Sequence, residues 1–569
     1  MNPGKGRSRL LCVLISLLIS ALPSVALAQA TQTPAQALLR QQERERALRE
    51  QQEAHRDVRL PAQQATLPRL PDETPCFPIH SIRLAGGQAR RFRWALRAAD
   101  ARNDRATGRC LGVAGVNIVA RRVQNALVTR GYITTRVLVG EQDLSSGTLV
   151  LSLVPGRIHA VRFAEPATAH PQWRNAIPAR PGDLLNLRDV EQGLENLQRV
   201  PTASADLQIA PAIAADAGPG DSDLVIAWTQ PRRLRGALSL DDAGSRATGQ
   251  LQAGATVSLD NPFGGNDLLY AHVGRGVFNG DDRGTRSWTA HYDVPLGYWL
   301  LAVTASGYDY RQQVPGAFQR YEYAGRSGNA ELRLSRVLFR NARNTLGLHG
   351  RAWWKASRNY IDDTEIGVQR RATAGWALGV DWRRFIGRAT FDAGLSYRRG
   401  TGAFGALRAP EETFGEGTSR MSVFNAEAQW AVPFQLGKQR VRYVGGWRAQ
   451  WNRTPLVAQD RFAIGGRYTV RGFDGEIAPT GDHGWLWRNE LDVALGAGQS
   501  FYMALDRGHV GGGADSPWRA GANLTGAAIG LRGGVRGLQW DLFVGAPVGK
   551  PAQLPTAYTT TGFNLNWSF

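Results

Sequence analysis

From Arg233 to the terminal Phe569 the chain alternates apolar and polar residues with a period of two, and no other feature constrains the fold as tightly. Leu251, Ala253, Ala255, Val257 and Leu259 interleave with Gln252, Gly254, Thr256, Ser258 and Asp260. Phe391, Ala393, Leu395 and Tyr397 interleave with Asp392, Gly394, Ser396 and Arg398. Phe424, Ala426, Ala428 and Trp430 alternate with Asn425, Glu427 and Gln429, and Leu538, Trp540, Leu542 and Val544 with Gln539 and Asp541. Alternate residues of a strand share a face, so each segment has one apolar side. The polar sides carry ionised groups deep in the strands, as at Arg488, Glu490 and Asp492. The apolar sides carry repeated Trp, Tyr and Phe. A soluble sandwich or propeller also alternates, but a wet lumen and aromatic girdles belong to a transmembrane antiparallel β-barrel. Only closure satisfies every backbone group in lipid. At about 21 residues per strand and connection, the stretch accommodates about 16 strands, an even number being expected.

The beginning of the chain sets the compartment. Lys5, Arg7 and Arg9 precede an apolar run from Leu10 to Leu22, and Ala26-Leu27-Ala28 supplies small residues for cleavage before Gln29. Residues 1–28 therefore read as a secretory signal peptide; the run is short for a spanning helix. Cys12 leaves with the signal. Cys76 and Cys110 stay, and in an oxidising periplasm they are expected to form one disulfide, the alternative being two buried thiols. The formal charge of +20 invites a nucleic-acid reading. Its arginines are dispersed through strand segments without a basic stripe, so charge in a pore or at anionic lipid explains it better.

Residues 29–57 contain a run of strong helix formers from Pro34, polar nearly all round. Such a helix is either a solvated spacer or a plug in a polar lumen, and at ~1.5 Å per residue it is about as long as a bilayer is thick. Residues 58–75 form an extended linker with Pro61, Pro68, Pro71 and Pro75. Residues 76–156 then read strand, helix, helix, strand, strand. The second helix, near Ile118 to Arg130, stops at Gly131, and strands follow at Tyr132 to Val139 and Thr148 to Val154. Residues 157–232 repeat the order. Leu187, Val190, Leu194 and Leu197 share a helix face there, Asn186 is a plausible N-cap, and Leu224 to Trp228 closes the unit.

Val470-Arg471-Gly472-Phe473 lies in a Gly-rich loop from Gly465 to Gly475, followed by the strand Phe501 to Gly508. Strand parity puts Tyr502, Ala504, Asp506 and Gly508 on the polar face, so Arg471 and Asp506 are expected to pair, with Glu490 and Asp492 as possible second partners. This loop and strand resemble those of the Omp85 superfamily of outer-membrane proteins. The two α+β units look like POTRA domains, the periplasmic modules of that superfamily. Cys76-Phe77-Pro78-Ile79, Cys110-Leu111-Gly112, Gly131 to Arg136, Glu141 to Leu144, Gly147-Thr148-Leu149 and Pro155 to Ile158 narrow the resemblance to the haemolysin secretion and activation type of two-partner secretion transporter, the TpsB family. Phe473 departs from the Tyr that many relatives carry, which removes a hydroxyl.

The resemblance implies a fold and a function. It implies an outer-membrane barrel of a Gram-negative bacterium with its POTRA domains in the periplasm, and it tips the helix of residues 29–57 toward the plug. It implies recognition of one large β-helical exoprotein, a haemolysin or filamentous adhesin encoded nearby, and its passage through the barrel without nucleotide. The terminal aromatic matches the assembly signal of such barrels. The expected partners are that exoprotein, outer-membrane lipid and, during biogenesis, periplasmic chaperones and the barrel assembly machinery; no nucleic acid and no cofactor are expected, and the chain is expected to be a monomer. The strand Thr134, Thr135, Arg136, Val137, Leu138, Val139 is either the edge to which a client adds or a paired inner strand. A β-barrel assembly insertase and a passive anion-selective porin are the alternatives. The first usually carries more POTRA units and no plug; the second leaves the two α+β units unexplained. An enzyme is not expected: the sequence has no G-x-S-x-G elbow, H-E-x-x-H motif or P-loop, and its nine histidines lack metal-ligand spacing.

Overall fold

A computed structural model describes residues 34–52, 57–60, 68–101, 103–164, 171–280, 282–514 and 516–569. The expected signal peptide, residues 1–28, lies outside the described residues, as do residues 61–67 of the linker.

The alternating C-terminal stretch closes into an antiparallel barrel of 16 strands, from Leu234–Asp241 to Thr560–Ser568. Closure is made by the last strand against the first. The register runs from Asn564 opposite Asp241 to Ser568 opposite Ala237, and Gly236 and Phe569 exchange N–H···O bonds of 3.0 Å beyond it. The parity expected from sequence governs the wall. Val257, Leu395, Met503, Leu505 and Ile529 lie on the outer surface, where lipid would cover them. Asp392 and Glu427 face inward, where arginines of the lumen meet them. Asp541 faces inward too, accepting from Tyr502 Oη at 2.9 Å. Cysteines placed at Phe391, Leu395, Trp430 or Trp540 are therefore expected to resist a membrane-impermeant maleimide, while cysteines at Asp392, Glu427 or Asp541 react. Labelling in the reverse order would refute the topology.

The first POTRA-like unit packs the helix Val113–Thr129 on a three-stranded sheet ordered Ser81–Ala85, Thr148–Val154, Arg136–Leu138. Ile118, Val119, Val123 and Leu127 form the buried face of that helix. The first of the two helices expected in this unit is a single α-turn, Ala89–Phe92, continued by a 3-10 segment to Ala98. Glu73, at the end of the linker, caps the N-terminus of Val113–Thr129 by accepting from the backbone N–H of Gly112, Ala114 and Gly115 at 2.7 to 3.0 Å. Desolvation opposes ionisation of this carboxyl, but the three donors prevail and hold it below the ordinary range. The second unit repeats the design, with Leu187–Leu197 as its main helix and Asn186 Oδ1 capping Arg188 N at 2.8 Å.

Cys76 and Cys110 are bridged, with 5.3 Å between Cα atoms. The bond fastens the small sheet in which Phe77–Ile79 pairs with Arg109–Leu111. A loop spanning 34 residues is worth about 3–4 kcal/mol to the unit on chain-entropy grounds. Reduction is expected to lower the melting temperature of the first unit, and native, unreduced protein should expose no thiol to a maleimide. A reactive thiol would contradict the bridge.

The second unit abuts the barrel floor. Arg199 meets Asp293 at 2.5 Å, Tyr298 Oη donates to Asp189 at 2.5 Å, Asn196 Nδ2 donates to Gly297 O at 2.8 Å, and Thr202 Oγ1 donates to Asp260 Oδ2 at 2.8 Å.

Candidate functional site

The Gly465–Gly475 loop folds back into the barrel and lies on its inner wall. Ile464, Val470 and Phe473 pack with Leu486, Val510, Trp518 and Leu524 in one apolar cluster. The wall is bare where the loop touches it. A Cβ on Gly526 would sit 1.8 Å from Arg471 O, and one on Gly508 would sit 2.9 Å from Val470 Cγ2. Gly472 has φ +91°, and a side chain there would strike Ala546 O at 2.4 Å. Phe473 packs in this cluster with only 6 % of its surface exposed, so the aromatic ring seats without a hydroxyl.

Arg471 meets Asp506 as a two-pronged pair, Nε to Oδ2 at 2.7 Å and Nη2 to Oδ1 at 2.9 Å. Its backbone N–H adds a third bond to Oδ2 at 3.0 Å. The wall ladder gives way to accommodate this. Pairing between His483–Gly496 and Gln499–Gly511 skips Arg488 and Asn489. Asn489 N donates instead to Asp506 Oδ1 at 3.1 Å, and Asn489 Nδ2 donates to Leu505 O at 3.0 Å. Asp506 has no exposed surface, and the Arg471 side chain is 9 % exposed. Glu490 takes the remaining prong, Nη1, at 2.5 Å and passes the charge on to Arg532 at 2.8 Å. Asp492, expected as an equal candidate, is not a partner of Arg471. It accepts from Ser500 Oγ at 3.1 Å and lies 3.6 Å from Arg532. Glu490 and Asp492 share a face but sit two residues apart along the wall, and the loop tip reaches only the nearer.

The N-terminal helix, Pro34–Gln52, occupies the lumen. Residues 29–33 and 53–56 of the expected segment lie outside the described residues, and residues 57–60 are not helical. Its charges meet opposite charges from widely separated strands. Arg44 pairs with Asp241 at 2.8 Å, Arg49 with Glu331 at 3.3 Å, Glu43 with Arg448 at 2.8 Å and Arg46 with Glu427. Only Ala37, Leu38 and Gln41 of the helix are buried. Arg448 also donates to Tyr468 O at 3.0 Å, and Arg40 donates to Gly475 O. Plug and loop therefore share donors. Exposed ion pairs contribute about 0–1 kcal/mol each, whereas stripping one partner from a buried pair costs about 3–5 kcal/mol. By that measure the loop is anchored and the helix is merely held.

The edge expected at Thr134 to Val139 is shorter than anticipated. The strand spans Arg136–Leu138 and pairs on one side only, with Thr148–Val154. Its outer side is partly filled. Gln124 Nε2 donates to Thr135 O and Val137 N donates to Gln124 Oε1, both at 2.8 Å. Thr134 and Thr135 turn inward instead, where Thr135 Oγ1 accepts from Gly156 N, at the end of the same unit, at 3.1 Å. Leu138 and Val139 project from the edge, exposed.

Residues 220–533 match the model of the haemolysin secretion/activation protein family ShlB/FhaC/HecB, and residues 77–156 match the ShlB-type POTRA domain. The chain belongs to this family. It is a two-partner secretion transporter of the outer membrane, with its POTRA domains periplasmic. Residues 157–211 match a second POTRA model. Among relatives of this family, the outer membrane transporter CdiB-2 of Burkholderia pseudomallei is 36 % identical over 95 % of this chain and 97 % of its own. The hemolysin transporter protein ShlB of Serratia marcescens is 25 % identical over 81 % of each. The solved structure of CdiB from Acinetobacter baumannii superposes with a TM-score of 0.84 at 31 % identity, covering 95 % of this chain and all of that one.

Arg448 and the helix residues Arg40, Glu43, Arg44, Arg46 and Arg49 were not singled out from sequence. A signal for the first was present, since Arg448 and Gln450 alternate with Trp447, Ala449 and Trp451. Which helix charge meets which wall charge has no counterpart in local pattern.

Proposed function

We propose that this transporter carries one large β-helical exoprotein, of the haemolysin or filamentous-adhesin type, from the periplasm to the cell surface through its own barrel, with no nucleotide. The observation that carries the reading is the contrast in the lumen: a polar helix held by partly exposed ion pairs fills a pore whose loop is anchored by buried ones. The helix leaves and the loop stays. The client docks by adding a strand to a POTRA edge, the part available here beginning at Leu138 and Val139. Backbone pairing grips without demanding a sequence. Folding outside the cell then makes return unfavourable, so the client's own folding free energy supplies direction.

The test is secretion. Deleting the gene is expected to remove one very large exported β-repeat protein, encoded beside it, from the medium, and to leave other outer-membrane barrels at normal abundance. A general loss of barrels would mark an insertase instead; unchanged secretion of that exoprotein would refute the proposal.

A further inference from the structure

Residues 57–60 pass between the second POTRA unit and the barrel rim. Their side chains alternate. Val58 and Leu60 pack on the core of the POTRA unit. Asp57 meets Arg383 at 2.7 Å, and the Arg59 guanidinium lies 3.5 Å over the Phe385 ring. Their backbone is read directly. Val58 N donates to Glu195 Oε1 at 3.0 Å, Leu60 N donates to Glu191 Oε1 at 2.9 Å, and Arg340 Nη2 donates to Val58 O at 2.7 Å.

The reading groups are themselves built into a rigid cluster. Glu191 and Glu195 are one turn apart on Leu187–Leu197, and Arg340 ends the strand Arg320–Arg340 at the periplasmic rim. Arg340 binds Glu195 through Nη2 at 2.6 Å and Glu191 through Nε at 3.2 Å, while Arg188 Nη1 donates to Glu191 at 2.6 Å. Glu191 is fully buried and the Arg340 side chain is 6 % exposed. A buried ionic cluster of this kind is a poor source of stability compared with apolar packing. It is well suited to taking N–H and C=O groups at the two-residue spacing that any extended chain presents. Arg188 Nε and Nη2 have no acceptor among the described residues, which leaves donors for a further carbonyl.

We propose that Glu191, Glu195 and Arg340 form a sequence-independent clamp for extended polypeptide at the periplasmic mouth of the pore, filled at rest by residues 57–60 and, during transport, by a segment of the exported chain. The proposal rests on the transport reading above. The preferred occupant is a strand-forming segment with apolar residues on one side and polar residues on the other, as in a β-rich client. The linker yields the clamp when the helix leaves, because only four residues separate Gln52 from Asp57.

The probe is a fluorescent peptide of sequence HRDVRLP, residues 55–61, titrated by anisotropy against detergent-purified protein lacking residues 34–60. It is expected to bind. N-methylation at the Val58 and Leu60 positions should weaken binding about tenfold or more, as should Glu195→Gln in the protein. An unrelated peptide of the same alternation should bind within about threefold. Heat-modifiable migration reports that each variant barrel is folded, and Arg340→Lys replaces Glu195→Gln should the latter fail to fold. Equal binding by the N-methylated peptide, or no binding by the parent, overturns the clamp. In cells, Arg59→Cys with Phe385→Cys, joined by a bis-maleimide that spans the two side chains, should hold the linker in place, and exoprotein in the medium should fall in step with the cross-linked fraction. Secretion by fully cross-linked protein overturns the exchange of occupants. Absence of secretion by the unaltered protein would instead refute the transport reading, leaving the peptide result intact.

Discussion

Arg471→Ala is expected to reduce exoprotein in the medium at least tenfold while the barrel still inserts and migrates as a folded species. The substitution strips Asp506 of its two-pronged partner in a site with no exposed surface, a loss on the order of 3–5 kcal/mol. It also frees Glu490 to compete for Arg532 alone. The apolar cluster of Ile464, Val470 and Phe473 remains, so the loop stays near the wall but loses its register along it. Arg471→Lys should rescue little, because an ammonium cannot span both oxygens of Asp506. The exchange Arg471→Asp with Asp506→Arg should recover part of the activity, though Glu490 then faces a second carboxylate. Normal secretion by Arg471→Ala would show that the anchored loop is dispensable.

Deleting residues 34–52 is expected to raise single-channel conductance in planar bilayers severalfold, since the helix occupies the lumen at rest. Its grip is ionic and partly exposed, with both side chains of the Arg46–Glu427 pair more than a third accessible. Raising the salt from 0.1 M to 1 M shortens the Debye length from about 10 Å to about 3 Å. The intact protein should therefore open more often at high salt, while the deletion variant merely scales with bulk conductivity. Secretion should survive the deletion at least in part, because the client must pass where the helix sat. Unchanged conductance would mean that the helix is no obstruction.

Much of the barrel was legible because a period of two leaves few alternatives, and inward parity, together with the resemblance of the loop and following strand to those of the Omp85 superfamily, pointed to Asp506 as the facing carboxylate of Arg471. Parity could not separate Glu490 from Asp492, since both point inward and the choice depends on how far the loop tip descends. The POTRA edge was overestimated for a different reason. Thr134, Thr135 and Val139 have good strand propensity, but Gln124, reaching from a helix, takes the backbone groups of Thr135 and Val137. No strand pattern records a cap supplied by another element. Glu191 and Glu195 read simply as the polar face of an amphipathic helix, and their use depends on Arg340, some 145 residues away.

The threaded helix dictates an order of biogenesis that runs against the order of synthesis. Pro34–Gln52 is made early, yet its wall partners Asp241, Glu331, Glu427 and Arg448 lie on strands spread across the later sequence. Those charges surround a common axis only once Thr560–Ser568 has zipped onto Leu234–Asp241. The earliest segment thus has no berth until the latest one is laid down. The N-terminus must wait on the periplasmic side, and its arrival in the pore is a report that the wall is complete.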